Sequence, residues 1–319
     1  TILIKILLVS IFLLLLTCCR STTQQEAPVF VKQSINQEQL FGHLETLSSD
    51  EFGGRKTGSA GSRGAADYIV TKLASLNINS INENYISEFE HEKLIGKIYG
   101  QNIIGIINGT HYSDEYIVLT AHYDHIGIKG REIYNGTDDN ASGVSAMLSI
   151  AENISQRPLK HSVILLFTDG EEINLLGAKA FFENHPEYAN KAKFNINLDM
   201  ISGDGTTKAL RYIKWPKEQK FEISSNYQLS IGDENKPFKV KYGFKQLRSV
   251  STVNSRTNWK MASDHGIFFK NNIPFIYFGV GEHRNYHTPN DNFEQANLSF
   301  FQRATEVIYH NLNVIDNAI

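Results

Sequence analysis

Two stretches decide the fold: residues 116–124, which read YIVLTAHYD, and residues 163–172, which read VILLFTDGEE. Each is a short run of β-branched and large apolar residues that breaks off in side chains able to bind a metal. Residues 102–107, 194–200 and 273–280 are further runs of the same kind. Helical stretches separate most of them, around residues 142–154 and 175–184, with residues 299–312 last. Strand and helix in alternation predict an α/β fold: a single domain with a central, largely parallel mixed sheet flanked by helices on both faces. Ahead of the strands, Leu40, Leu44 and Leu47 share one helix face, and Ala65, Ala66, Tyr68, Ile69, Leu73 and Leu76 share another. The glycine-rich residues 53–58 between them read as a loop. Residues 201–262 break the pattern with mixed polar and aromatic sequence, and an insertion near the site or a small subdomain is expected there.

Composition bounds the partners. The chain has 319 residues, 41% hydrophobic and 20% charged, which is enough apolar material for a sizeable core and unlike a disordered chain. Its 31 Lys+Arg against 34 Asp+Glu give a net charge of −3. A nucleic-acid backbone binder needs a basic excess or stripe, so nucleic acid is not an expected partner. Cys18 and Cys19 are the two cysteines, so disulfides, thiolate zinc sites and cysteine nucleophiles are excluded from the rest of the chain. Before them, Lys5 precedes an apolar run over residues 6–16, shorter than the roughly 20 residues of a membrane span, and this reads as a signal-peptide core. Leu16-Thr17-Cys18-Cys19 resembles a bacterial lipobox, with Cys19 the better candidate for lipidation and Cys18 the other. The bland alternative is an ordinary secretory signal with incidental cysteines. The expected organisation is a signal peptide and lipidation site over residues 1–19, a flexible Gln/Thr-rich tether over 20–34, and a folded domain over 35–319. Such a protein would work outside the cytoplasm, lipid-anchored to a bacterial membrane, at the outer membrane, in the periplasm or on the cell surface.

Open α/β sheets bind ligands beyond the carboxyl ends of their strands. The residues there are His122-Tyr123-Asp124, Asp169-Gly170-Glu171-Glu172, Asp199 and Tyr286-His287-Thr288-Pro289, with Asp138-Asp139-Asn140-Ala141-Ser142-Gly143 in a loop between. Singly, each has a bland explanation as a helix cap, a solvated first turn or a surface histidine. Jointly they do not, because Asp199 closes an apolar strand where an unpaired carboxylate is costly, and converging carboxylates repel unless cations neutralise them. Asp139, Glu172 and Asp199 with one hydroxide sum to −4, which two divalent cations would cancel. The imidazoles of His122 and His287 favour zinc over magnesium or calcium, with cobalt or manganese as possible substitutes. A bridging carboxylate would hold two metals about 3.5–4 Å apart, as in two-metal hydrolases.

This ordered set, together with Asn197-Leu198-Asp199-Met200 and Ser263-Asp264-His265-Gly266, resembles the bacterial di-zinc aminopeptidases over about residues 36–315. Their superfamily also includes glutamate carboxypeptidase, glutaminyl cyclase and the non-catalytic transferrin receptor ectodomain. The resemblance implies His122 and Asp199 on one zinc, Glu172 and His287 on the other, and Asp139 between them. It implies Glu171 as general base. Tyr286 either hydrogen-bonds the developing oxyanion or packs beside His287. Asp124, two residues beyond His122, falls on the same side of an extended strand and would orient the imidazole. Met200 and Tyr286 are candidates for the substrate pocket, closed by aromatic residues of 201–262. His125, His265 and His283 match no ligand position of the family and read as structural or surface histidines, and Asp264 as a support of its loop. The implied activity is two-zinc hydrolysis of peptide bonds, releasing N-terminal residues from peptides with a free N-terminus. The rivals are a single-zinc glutaminyl-peptide cyclase and a catalytically silent receptor-like binding domain. No Gly-x-Ser-x-Gly, His-Glu-x-x-His or Walker A motif occurs, which leaves serine hydrolase, zincin and P-loop chemistry without support.

Overall fold

The computed structural model describes residues 27–31, 35–229, 236–244 and 257–319. The apolar run 6–16, both cysteines and most of the 20–34 tether lie outside the described residues. In chain order the strands are β1 (Val29–Val31), β2 (Asn79–Ser80), β3 (Ile86–Glu92), β4 (Lys97–Ile107), β5 (Tyr112–His122), β6 (Gly127–Lys129), β7 (Glu132–Tyr134), β8 (His161–Thr168), β9 (Ala192–Leu198), β10 (Leu210–Trp215), β11 (Asn226–Leu229), β12 (Phe238–Tyr242) and β13 (Phe275–Gly279). The helices are α1 (Gln37–Leu47), α2 (Ala60–Ser75), α3 (Gly143–Gln156), α4 (Leu176–Asn184), α5 (Pro186–Ala189), α6 (His265–Lys270) and α7 (Leu298–Ala318).

Four parallel strands form the middle of the sheet in the order β8-β5-β9-β13. Antiparallel β4 continues it on one side and antiparallel β10 on the other. Alternate residues of β5 serve two cores. Ile117, Leu119 and Ala121 pack with residues of α1, α2, α3 and α7, while Tyr116 and Val118 pack with Phe181 of α4 and Phe268 of α6. This is the period-2 signature of a strand buried on both faces. Helix starts follow local chemistry: the side chains of Asn36, Ser59 and Asn297 accept the backbone N–H of Gln39, Ser62 and Phe300. Among the described residues, no helix is long and apolar enough to cross a membrane.

Two expectations gain detail. Within 201–262 the described residues contribute β10, β12 and β11, which extend the central sheet outward from β13. In β12, Phe238 and Val240 are buried while Lys239 and Lys241 are not, so a strand with one wet face alternates in polarity and looks irregular beside the apolar central runs. The tether is also shorter than expected, since Val29–Val31 pairs in parallel with β11 and Val31 is fully buried.

The parallel register gathers the site. His122 lies opposite Thr168, Thr120 opposite Asn197, and Phe278 opposite Leu198, so β5, β8, β9 and β13 all end at one rim.

One buried carboxyl far from that rim sets a pH dependence. Glu306 of α7 is fully enclosed and accepts the Ile35 N–H at 3.4 Å. Burial pushes it up to about 7, outweighing that N–H and the Arg303 charge. Its folded-state pKa lies above the ordinary value, so its contribution is intact below about pH 4.5 and is lost as pH rises to about 7. Glu306→Gln is therefore expected to stabilise the fold at pH 8 relative to the parent, by on the order of 1–2 kcal/mol once solvent screening is allowed for, with a higher melting temperature, and to change it little at pH 4.5. Thermal unfolding of both chains at the two pH values checks this.

Candidate metal centre

The loop that carries Asp139 is held by backbone and side-chain donors together. Asp291 accepts the N–H groups of Asp138 and Asp139 at 2.9 and 3.1 Å. Asp138 accepts those of Ser202 and Gly203 at 2.7 and 2.9 Å, and its other oxygen meets His283 at 2.9 Å. Asn140 donates to the Leu198 carbonyl and accepts from Gly143 and Met200, which staples the loop to the end of β9. At Gly143 an added Cβ would stand 2.4 Å from the Leu198 carbonyl, so the approach requires glycine. These contacts give the Asp139-Asn140-Ala141-Ser142-Gly143 motif its physical meaning.

Beneath the loop runs Arg55, the largest fully buried side chain among the described residues. Its guanidinium donates to the carbonyls of Leu47, Tyr123, Asn135 and Gly136, and so ties the His122–Asp124 turn to the loop before Asp139. Burial lowers its pKa to about 10, against the charges of Asp291, Asp139, Asp124 and Glu172, and it remains a cation at neutral pH. Nothing in the sequence singled it out beyond one charged residue in a glycine-rich loop.

The five expected ligands come together at the rim. Asp139 faces two ways: Oδ1 lies 3.4 Å from His122 Nε2, and Oδ2 lies 3.0 Å from His287 Nε2. His122 Nε2 is also 3.5 Å from Asp199 Oδ1, and His287 Nε2 is 3.2 Å from Glu172 Oε1. Two donor clusters result, His125-Asp139-Glu172-His287 and His122-Glu171-Asp199. His122 Nε2, Glu172 Oε1 and Asp199 Oδ1 are buried and make no hydrogen bond. Buried polar atoms are rarely left so, and a set of imidazole and carboxylate donors fits zinc.

The titration directions follow from this crowding. Burial would raise Asp139, but the adjoining imidazoles of His125, His122 and His287 hold it well below the ordinary range. Burial likewise opposes ionisation of Glu172, yet His125 and His287 bring it down to about 2. Glu171 goes the other way: desolvation, opposed by His122 and reinforced by the charges of Asp199, Asp264 and Glu172, pushes it well above the ordinary glutamate range. The adjacent glutamates thus differ in kind: Glu172 is held ionised, whereas Glu171 has the raised proton affinity that suits a group accepting a proton.

Other expected residues divide. The Asp124 carboxylate stands 3.6 Å from His122 Nδ1, but its nearer partners are the N–H groups of Glu171 and Glu172 and the Thr57 hydroxyl, at 3.1, 3.3 and 3.2 Å. The imidazole instead meets the Asp124 backbone carbonyl at 3.1 Å. Asp124 therefore fixes the Glu171–Glu172 turn as well as the histidine. Tyr286 stacks on His287 with ring centroids 3.8 Å apart. Burial and then the charges of Asp139, Glu172 and Asp199 drive its hydroxyl far above the ordinary tyrosine range, so it stays a donor. Met200 and Tyr286 line a cavity of about 150 Å³ over the clusters, together with Trp259 from the 201–262 segment. His265 is structural, bonded to the Trp259 carbonyl, and so is His283 on Asp138; Asp264 accepts the Thr168 hydroxyl at 2.5 Å. His125 is the correction. It is fully buried, and its Nδ1 lies 3.0 Å from Glu172 Oε1 and 3.6 Å from Asp139 Oδ2, inside the donor set. The chain turns out of β5 after His122, so strand alternation no longer says where residue 125 points.

A parallel α/β sheet with paired carboxylate and imidazole clusters at its carboxyl rim has the architecture of a metallopeptidase. The chain belongs to peptidase family M28, whose model matches residues 102–312. It is 28% identical over 221 residues to the aminopeptidase YwaD of Bacillus subtilis, covering 65% of this chain and 43% of that one. It spans half or less of the length of the curated relatives it matches. Among solved structures, a zinc aminopeptidase from Bacillus subtilis superposes with a TM-score of 0.63 at 14% identity, over 88% of this chain and 95% of that one. The glutaminyl cyclase of Porphyromonas gingivalis does so with a TM-score of 0.62 at 19% identity, over 88% and 98%. At these identities the two superpositions establish the shared fold.

Proposed function

We propose that this chain is a two-zinc exopeptidase that removes N-terminal residues from peptides with a free amine. The observation that carries the reading is the position of Asp139, whose two oxygens face separate donor clusters. Bound zinc would polarise the scissile carbonyl and make water a nucleophile near neutral pH. His122 and Asp199 would hold one ion, Glu172 and His287 the other, with Asp139 shared. Glu171 takes a proton from the attacking water and passes it to the leaving amine, a role suited to a carboxylate whose pKa desolvation has raised. Tyr286, kept protonated, offers a hydrogen bond at the cavity wall to the oxygen that gains charge. Met200, Tyr286 and Trp259 bound the space for the departing residue. The surrounding carboxylates favour a substrate ammonium.

Paired peptides with free and acetylated N-termini test this on the zinc-loaded chain. Release of the first residue from the free peptide alone is expected. Equal cleavage of both would indicate an endopeptidase, trimming from the other end a carboxypeptidase, and cyclisation of an N-terminal glutamine a cyclase.

The sequence also supports a lipid anchor and work outside the cytoplasm, with the membrane as a second partner. Cys19→Ser is expected to release the protein into the soluble fraction with its activity intact, as measured by fractionation and assay. Release by Cys18→Ser instead would move the lipid one residue, and retention in both variants would contradict the anchor.

A further inference from the structure

We propose that His125 is a sixth protein ligand of the metal pair, adding Nδ1 to the cluster formed by Asp139, Glu172 and His287. The inference rests on the two-zinc reading and deepens it. Both ring nitrogens of His125 are sealed from solvent and make no hydrogen bond. An unpartnered buried imidazole is costly, so the position calls for something that takes a nitrogen lone pair. Nδ1 stands 3.0 Å from Glu172 Oε1 without the alignment of a hydrogen bond. That spacing suits two ligands of one ion, since zinc donors at about 2.0–2.2 Å sit roughly 3–3.5 Å from each other. The four donor atoms of the cluster lie within 4.8 Å of one another.

His125 is also better fixed than the ligand expected beside it. Its side chain is 0% exposed, against 36% for His287, and the two rings meet edge to face. A Cβ on Gly136 would come 2.5 Å from the His125 ring, so backbone packs against the imidazole and leaves it little room to turn. The Gly136 carbonyl is in turn held by Arg55.

The consequence is an asymmetric pair. One ion would have four protein donors, Asp139, Glu172, His125 and His287, the number that closes a zinc site. The other would have three, His122, Asp139 and Asp199, and keep a position open beside Glu171. The closed site would anchor charge and the open site would face the substrate.

Zinc titration of the metal-free full chain by calorimetry, with cobalt(II) absorption as a coordination readout, tests the role of His125. The native chain is expected to bind two ions, one more tightly. His125→Ala should weaken the tight site by at least about 100-fold, more than loss of an outer-shell partner does, and leave the other site within about threefold. The cobalt band of the tight site should change as one ligand is lost. His125→Asn keeps an N–H able to bond Glu172 and nearly keeps the shape; it should fail to restore affinity. Circular dichroism of the metal-free variants confirms that they fold. Native affinity and spectrum in His125→Ala, or full rescue by His125→Asn, would overturn the ligand role. A native chain that bound only one zinc would overturn the two-metal reading instead, while the same variants would still decide whether His125 holds that ion.

Discussion

Replacing Glu171 by Gln is expected to lower kcat by about 10²–10⁴, the usual range for removal of a general acid–base group, with KM and zinc content nearly unchanged. The variant keeps the shape of the side chain and loses only its capacity to accept a proton. Glu171 stands with His122 and Asp199 and faces the cavity, yet its raised pKa sets it apart from the neighbouring Glu172, which two imidazoles hold ionised. The companion variant Glu172→Gln should therefore behave differently, losing zinc as well as rate. Steady-state kinetics and metal analysis of the two variants side by side give the check. A Glu171→Gln chain that lost zinc, or kept near-native kcat, would reverse the roles of the pair.

Asp139→Ala carries the other large effect. Among the described residues its carboxylate is the one that reaches both His122 and His287, at 3.4 and 3.0 Å, so its loss should weaken both ions together and reduce activity by at least about 10³-fold. His287→Ala should mainly weaken one ion, because His122 and Asp199 remain on the far side. Elemental analysis after dialysis distinguishes the patterns: close to no zinc in the first variant, close to one in the second. Equal loss in both, or retention of both ions without Asp139, would remove its bridging role.

Much of this site is legible in the chain because the chemistry follows strand ends. His122, Thr168 and Leu198 each close a strand, and the residues at or just after them converge wherever those strands lie parallel. Asp139 was legible for another reason: Asn140 and Gly143 form a staple that needs those side chains at that spacing. What was not legible depends on contacts distant in sequence. Arg55 spans 68 to 81 positions to reach Tyr123, Asn135 and Gly136, and no local pattern announces a buried guanidinium. His125 follows a turn, where alternation fails. The outer strands β10, β11 and β12 are short, and polar residues such as Arg211, Lys214, Gln228, Lys239 and Lys241 interrupt their apolar ones, which leaves no apolar run to find. Val29–Val31 was hidden by its polar neighbours, although two β-branched residues around Phe30 suit an edge strand.

The central claim is that two metal ions act together at Asp139 in peptide hydrolysis. Its most direct test is stepwise addition of zinc to the metal-free chain while following release of an N-terminal residue from a free-amine peptide. The account predicts that activity rises to its plateau only as the second equivalent per chain is bound. A plateau at one equivalent, with cyclisation of an N-terminal glutamine peptide in place of hydrolysis, would contradict it.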